Sequence, residues 1–338
     1  MRFEFYHDGL RGVPTLSVDG TVDGALHLSH WEGNATPEEL RADTSTEIAL
    51  NFSAWPRRAE WARGVEVVTN NHFDADGVLS VWAVLGGERA SGLRDEMVAA
   101  AEAGDFSEFP SESAVRVAVL LQGGDNPFTP GVNSPLVERL AGGARVDEGR
   151  AYELVLPEVE RVLTRTDDYE PLWREGWGEI ARGLESFARG DSRVVEDAET
   201  RLSVVTLAPD LYGAAGFDPA RHGAPFTAVA HNARGEVLLV ATPLAGGWSY
   251  RIDYAYHSWA ETVARPRIAR RDLSALVGRL NELEGGRGGA WKPDRGELTS
   301  AVKFFGEGGA PAASRLRPDE VAAELRAALK GHAVSSAT

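Results

Sequence analysis

Three side chains within five residues, His72, Asp74 and Asp76, have the types and spacing to hold a cation. Alternate residues at the end of an extended segment point the same way, so one imidazole and two carboxylates would converge. Imidazole nitrogen together with carboxylate oxygen suits Mn²⁺, Mg²⁺, Fe²⁺ or Zn²⁺. Upstream, Val65-Glu66-Val67-Val68-Thr69 is rich in β-branched residues and predicts a short buried strand. Downstream, the apolar run Leu79 to Leu85 predicts a helix that Gly86-Gly87 stops. Gly77 is expected to let the backbone turn sharply into that helix. A strand that ends in a polar loop and turns into a helix is half of a βαβ unit, and ligands bind at that carboxyl end. The competing reading makes Asp74 and Asp76 helix caps and leaves His72 exposed.

Further candidates lie on both sides. His30, beside Trp31 and Gly33-Asn34, is expected as a substrate or metal group, or as a hydrogen-bonded loop residue. Thr36-Pro37 with Glu39 predicts one helix start, and Asp43-Thr44-Ser45-Thr46-Glu47 a second, with Thr36 and Asp43 as caps. Two such N-termini offer backbone N–H groups to an anion. Asp105 falls at a helix C-terminus, where the dipole disfavours a carboxylate, so it asks for another partner such as a metal. Asp125 competes with it: if Ser113 to Leu121 is a strand, Asp125 stands at a strand end and could bridge two ions. Periodicity leaves strand or helix open there. Arg251, Arg265, Arg267, Arg270 and Arg271 cluster around Tyr254, Tyr256, His257 and Trp259. Arginine pairs with phosphate or carboxylate and stacks on aromatic faces, so Arg251, His257, Arg267 and Arg271, with His30, are the candidate substrate-binding residues. Pairing with surface Glu and Asp is the plain alternative.

The stretch from Val67 to Val81 resembles the first motif of the DHH phosphoesterase superfamily, commonly His-x-Asp-x-Asp-Gly after a strand. That superfamily includes RecJ-like exonucleases, oligoribonucleases, manganese-dependent inorganic pyrophosphatases and exopolyphosphatases. The resemblance implies that His72, Asp74 and Asp76 ligate divalent metal, Mn²⁺ or Mg²⁺, as one or two ions. It places Asp105, or Asp125, as the downstream carboxylate. It implies a metal-dependent hydrolase acting on a small phosphorylated molecule or short oligonucleotide, with His72, Asp74, Asp76 and Asp105 at the reaction centre. The Gly285-Gly286-Arg287-Gly288-Gly289 run is similar to the glycine-rich element of the superfamily's C-terminal domain. The Asp-His-His triplet that names the superfamily is missing, and no two histidines are adjacent. Remaining ligands would come from His30, His257 or carboxylates. A binding or regulatory protein without hydrolase activity, and a metalloenzyme acting on a substrate without phosphate, are the alternatives.

The 338 residues suffice for two domains. The fold class expected is α/β: a metal-binding domain over 1–190 with a mainly parallel sheet flanked by helices, then a smaller α+β substrate-binding domain over 200–332. The second domain is expected to carry an antiparallel sheet, with FTAVAHN as one of its strands. Residues 333–338 are expected to be a disordered tail. The chain has no cysteine, which removes disulfides, thiolate ligands and a Cys nucleophile. A net charge of −16 disfavours a long nucleic-acid duplex as partner and leaves room for a small anionic substrate in a local basic pocket. The sequence has no transmembrane-length apolar run and no signal-peptide pattern, so a cytoplasmic protein without a membrane partner is expected. A homodimer is compatible with these features. The positive charge is nearly all arginine, with lysine only at 292, 303 and 330, as in bacterial-type GC-rich coding.

Overall fold

The computed structural model describes residues 1–126, 131–213, 216–218, 222–286 and 288–333. Of the tail expected over 333–338, Ala333 ends the last helix, while 334–338, like Arg287 of the glycine run, lie outside the described residues. The chain forms two compact units, Met1–Glu179 with Trp259–Arg267, and Ile180–Ser258 with Ile268–Thr338. The first division falls inside a helix, upstream of the 190–199 stretch where helical patterning gives way to strands.

The first unit contains β1 (Arg2–Phe3), β2 (Thr15–Val18), β3 (Leu26–Leu28), α1 (Ser45–Ala54), α2 (Arg58–Trp61) and β4 (Val67–Thr69). These are followed by α3 (Ala75–Gly86), α4 (Glu88–Ser91), α5 (Arg94–Asp105), α6 (Glu112–Gln122), α7 (Pro135–Leu140), α8 (Glu148–Val155), α9 (Val159–Thr164) and the start of α10 (Glu170–Arg189). The strand order is β1-β4-β2-β3, with every pairing parallel. Each residue of β2 and of β4 is buried, as expected of strands covered on both faces. Ser17 pairs with Thr69 and Val18 with Leu28, so the carboxyl ends of β2, β3 and β4 finish level along one edge.

α3 is apolar nearly all round, and such a helix has to be covered on several sides. It packs against α1 and α5, with Val78, Leu79, Val81, Trp82 and Ala83 buried. The ambiguous run after Ser111 is the helix α6. Ser111 caps it by accepting from Ala114 N at 3.1 Å, and Gly123 at φ 99° ends it. A Cβ at Gly123 would lie 2.7 Å from the Asn133 carbonyl, so only glycine fits that turn. Asp125 therefore follows a helix rather than a strand.

The second unit continues with β5 (Arg193–Asp197), β6 (Leu202–Thr206), α11 (Phe226–Asn232), β7 (Val237–Leu244) and β8 (Gly247–Tyr254). Then come α12 (Ser274–Glu284), β9 (Gly289–Pro293), β10 (Ser300–Gly306) and α13 (Pro318–Ala333). The six strands run β5-β6-β7-β8-β10-β9, antiparallel except between β6 and β7. FTAVAHN, expected as a strand, is the helix α11. It stands in the connection between β6 and β7, and parallel neighbours need such a crossover. Its buried Phe226 and Val229 recur at helical spacing. Leu276, Leu280, Val321 and Leu325 pack with Leu239, Ile252, Trp291 and Phe304 as the core. The glycine run is the turn between α12 and β9. Gly285, at φ 69°, caps α12, and a Cβ on Gly289 would lie 2.2 Å from the Phe305 carbonyl across the β9–β10 pairing. No described helix is long and apolar enough to cross a membrane.

Candidate metal centre

The loop from β4 to α3 delivers the three residues of the sequence motif. Asp74 is the N-cap of α3, with Oδ1 accepting from Gly77 N at 2.8 Å, while its Oδ2 lies 3.0 Å from His72 Nε2. It therefore caps and faces the histidine at once. Asp76, in the first turn of α3, is fully buried. Its Oδ2 accepts from Ser45 N at 2.8 Å and its Oδ1 from Thr46 N at 2.7 Å. The N-terminus of α1 thus holds an internal carboxylate rather than an external anion. Thr44 caps α1 through Glu47 N. Asp43, expected as that cap, instead accepts from the backbone of Ala264 and Arg265. Thr36, also expected as a cap, exchanges hydrogen bonds with both backbone groups of Ser29.

Gly77 has a different role from the one its position suggests. It lies within α3 and does not adopt a positive φ. A Cβ there would stand 2.5 Å from both Asn70 Nδ2 and Tyr152 Oη. Its bare surface admits these two side chains, which fix the loop. Asn70 Nδ2 donates to Tyr152 Oη at 2.9 Å, and Tyr152 Oη donates to the His72 carbonyl at 3.0 Å. Asn70 Oδ1 accepts from Asn71 N and His72 N.

Three further side chains meet this loop. Asp19 follows β2 and His30 follows β3, both at the sheet's carboxyl edge. Asp105 closes α5. Gly104 lets that helix end approach α3: a Cβ would lie 2.9 Å from Ala75 Cβ. Gln122, at the end of α6, ties the two together by accepting from Ala75 N and donating to the Gly104 carbonyl. His30 Nε2 then lies 3.2 Å from Asp105 Oδ2, 3.4 Å from Asp19 Oδ1 and 3.6 Å from Asp76 Oδ2. His72 Nε2 lies 3.1 Å from Asp19 Oδ2. Two ligand groups result, Asp19-His30-Asp76-Asp105 and Asp19-His72-Asp74, with Asp19 common to both. The first is buried throughout. In the second, His72 and Asp74 are 27% and 23% exposed, so this is the open side.

Both histidines are oriented from behind. His30 Nδ1 lies 2.7 Å from the Asp43 carbonyl, which can only accept, so Nδ1 donates and Nε2 is the nitrogen turned to the carboxylates. His72 Nδ1 donates to Asn71 Oδ1 at 3.0 Å with the same consequence. Trp259 stands edge-on to the His30 ring and Trp31 edge-on to the His72 ring.

Asp19 is fully buried, yet neither of its carboxylate oxygens has a hydrogen bond, and both Nε2 atoms are likewise unsatisfied. Its backbone occupies the left-handed region at φ 52°. Unsatisfied buried polar atoms and a strained backbone both mark functional sites. Ligand atoms about 2.1 Å from one ion are separated by roughly 3.0 Å at right angles and roughly 3.4 Å at a tetrahedral angle. The observed separations of 3.0–3.6 Å match that spacing. The residues present therefore fit a divalent cation.

The electrostatics agree. Burial pushes Asp76 up to about 7, helped by the charge of Asp19. Asp105 is raised strongly by burial and by Asp76 and Asp74. Burial opposes the charged form of each histidine, but Asp105 and Asp19 raise His30, and Asp74 and Asp19 raise His72. Burial would raise Asp19 as well, but its two histidine neighbours outweigh that and hold it low. Without a cation the cluster retains protons that a cation would displace.

The structure brings together His72, Asp74, Asp76, Asp105 and His30. It adds Asp19, which the sequence offers only as part of an Asp-Gly turn. Asp125 belongs to neither ligand group. Arg251, in the second unit, has its charge met by Asp253 and Glu297 and stacks over Phe226. Arg271, in the same unit, donates to the Leu329 carbonyl and lies 3.9 Å from Glu236. The remaining histidine candidate, His257, is half-buried in the second unit and belongs to neither ligand group. Arg267 is exposed on the first unit.

A parallel α/β unit with a His/Asp cluster at the strand ends defines a class of candidate metal-binding protein. The chain belongs to a family of unknown function, DUF6687, whose model matches residues 2–335. No curated protein matches it by sequence. Among solved structures, PggH, a pGpG-specific phosphodiesterase from Vibrio, is similar at a TM-score of 0.35 and 15% identity, over 97% of this chain and 90% of that chain.

Proposed function

We propose that the protein is a metal-dependent phosphoesterase of the DHH-like type, acting on a small phosphorylated molecule or short oligonucleotide. The observation that supports this reading is Asp19, a buried carboxylate shared by two ligand groups with both oxygens unsatisfied. With neutral histidines, the four aspartates carry a charge that two divalent ions balance. Asp19 would bridge them. His30, Asp76 and Asp105 would hold the buried ion, and His72 and Asp74 the more open one. A bound divalent ion supplies positive charge against a phosphoryl oxygen and makes water a stronger acid. Unmet, the carboxylates would repel a phosphate. The substrate approaches from the side of His72 and Asp74. Burial raises the carboxyl of Glu148, on that side, above the ordinary range, against the pull of His72, which suits a proton acceptor.

The test is a Mn²⁺ titration of wild type and Asp74→Ala, with phosphate release measured on a panel of nucleotides and small phosphate esters. The reading expects uptake of two ions by wild type, weaker uptake by the variant, and turnover of at least one ester. Uptake without turnover of any phosphorylated compound would favour a metalloenzyme for another substrate, or a binding protein. No uptake would end the metal reading.

A further inference from the structure

The segment Trp259–Arg267 packs within the first unit although the chain on either side of it belongs to the second. Its contacts include His30 of the buried ligand group and the residues on either side of Asp105. Glu261 N donates to the His30 carbonyl at 2.7 Å, and Trp259 presents its ring at 4.9 Å from that of His30. Asp43 holds both partners. Its carbonyl accepts the His30 Nδ1 proton, while its carboxylate accepts from three successive backbone amides, Val263, Ala264 and Arg265, and from Arg265 Nη1 at 2.6 Å. The Arg265 guanidinium also reaches Glu102 at 2.8 Å and Glu108 at 2.6 Å, which flank Asp105 at the end of α5. It stacks over Phe106, the residue after Asp105.

We infer that Asp43 is a positioning residue for the buried half of the metal centre, and that docking of Trp259–Arg267 and ion binding at His30 and Asp105 form one coupled equilibrium. This rests on the metal reading above. A ligand histidine is fixed by what its other nitrogen touches, and such outer partners typically carry 10–100-fold of metal affinity. Here the outer partner of His30 is the residue that anchors the segment, and the segment's arginine fixes the helix end bearing Asp105. Without the Arg265 guanidinium, Glu102 and Glu108 would lose their shared partner and Asp43 its counter-charge, beside four aspartates already in the centre. Two states coupled through shared contacts must influence each other reciprocally.

The experiment is hydrogen–deuterium exchange on the full chain with and without Mn²⁺, combined with Mn²⁺ titrations of wild type, Asp43→Asn, Arg265→Ala and Arg265→Lys. Amides of 261–265 are expected to exchange at least about tenfold more slowly when Mn²⁺ is bound, in step with filling of the tighter ion. Asp43→Asn keeps the carbonyl but weakens the anchor. It is expected to weaken that ion about tenfold and leave the ion at His72 and Asp74 unchanged. Arg265→Lys should recover part of what Arg265→Ala loses. Exchange at 261–265 that ignores Mn²⁺, or Asp43→Asn titrating like wild type, overturns the inference and leaves the metal reading standing. Wild type that takes up no Mn²⁺ overturns both. If Asp43→Asn does not fold, the wild-type exchange comparison decides.

Discussion

Glu284 in the second unit and Asp19 in the first are both almost fully buried carboxylates, and the chain treats them differently. Glu284 is saturated: Ser314 Oγ donates at 2.7 Å, Arg315 N at 3.1 Å and Trp291 Nε1 at 3.4 Å. Asp253, also in the second unit, shares Arg251 with Glu297. Asp19 has only two histidine nitrogens nearby, outside hydrogen-bond geometry. Burying a charge is costly unless donors or counter-charges compensate. In the second unit they belong to the chain itself. At Asp19 the nearest groups are two ligand nitrogens, whose protons a divalent ion would replace.

That contrast yields its largest prediction at the two carboxylates themselves. Asp19→Asn keeps shape and tolerates the left-handed backbone, but removes the shared charge. It is expected to lower Mn²⁺ affinity by more than about 100-fold, beyond the range of outer-partner losses. In EDTA it should cost less stability than Glu284→Ala, because the histidines that hold Asp19 low keep Asp74, Asp76 and Asp105 as partners. Glu284→Ala should cost more. It strands three donors and is expected to cost about 3 kcal/mol in chemical unfolding, with Mn²⁺ uptake unaffected. If Asp19→Asn destabilised the metal-free protein as much as Glu284→Ala, Asp19 would be a structural carboxylate and the distinction would fail.

The motif is legible in the sequence because it is local. Strand, polar loop and helix follow one another, and His72, Asp74 and Asp76 need no tertiary information to be singled out. Asp105 is legible through a misfit, a carboxylate at the wrong end of a helix. Asp19 is not. Asp-Gly after a short apolar run reads as a turn, and only the parallel pairing of β2 with β4 shows that it ends beside His72. The strand-end rule that marks the loop after β4 applies to β2 and β3 as well. α11 escapes the pattern because FTAVAHN alternates well enough for a strand, and the crossover it serves is a property of the sheet. Gly77 stands out for the wrong reason, since its missing Cβ makes room for Tyr152, a residue from α8. Gly77→Ala is therefore expected to cost about 2 kcal/mol, within the range for overpacking. It should weaken the ion at His72 more than the ion at His30. Equal weakening of both in a Mn²⁺ titration would mean the network holds the whole fold rather than this loop.

The smallest effect is one of pH. Asp76 sits at about 7 in the fold against an ordinary 3.8. A raised carboxyl stabilises the fold below its unfolded value and loses that contribution as pH rises through the folded one. The raised His30 and His72 act in the same sense, binding protons above pH 6.5 that the unfolded chain releases. Asp19, held low, changes stability only in acid. Between about pH 6 and 8 the metal-free protein should therefore lose stability, with Asp76 contributing about 1 kcal/mol. Asp76→Asn should flatten that part of the slope, which separates it from the general repulsion of an acidic chain. Saturating Mn²⁺ should oppose the loss, because the ion displaces those protons and binds more tightly as pH rises. Denaturant midpoints at about pH 6 and 8, in EDTA and in Mn²⁺, measure all of this. A midpoint in EDTA that rose with pH would show that the buried cluster does not retain protons.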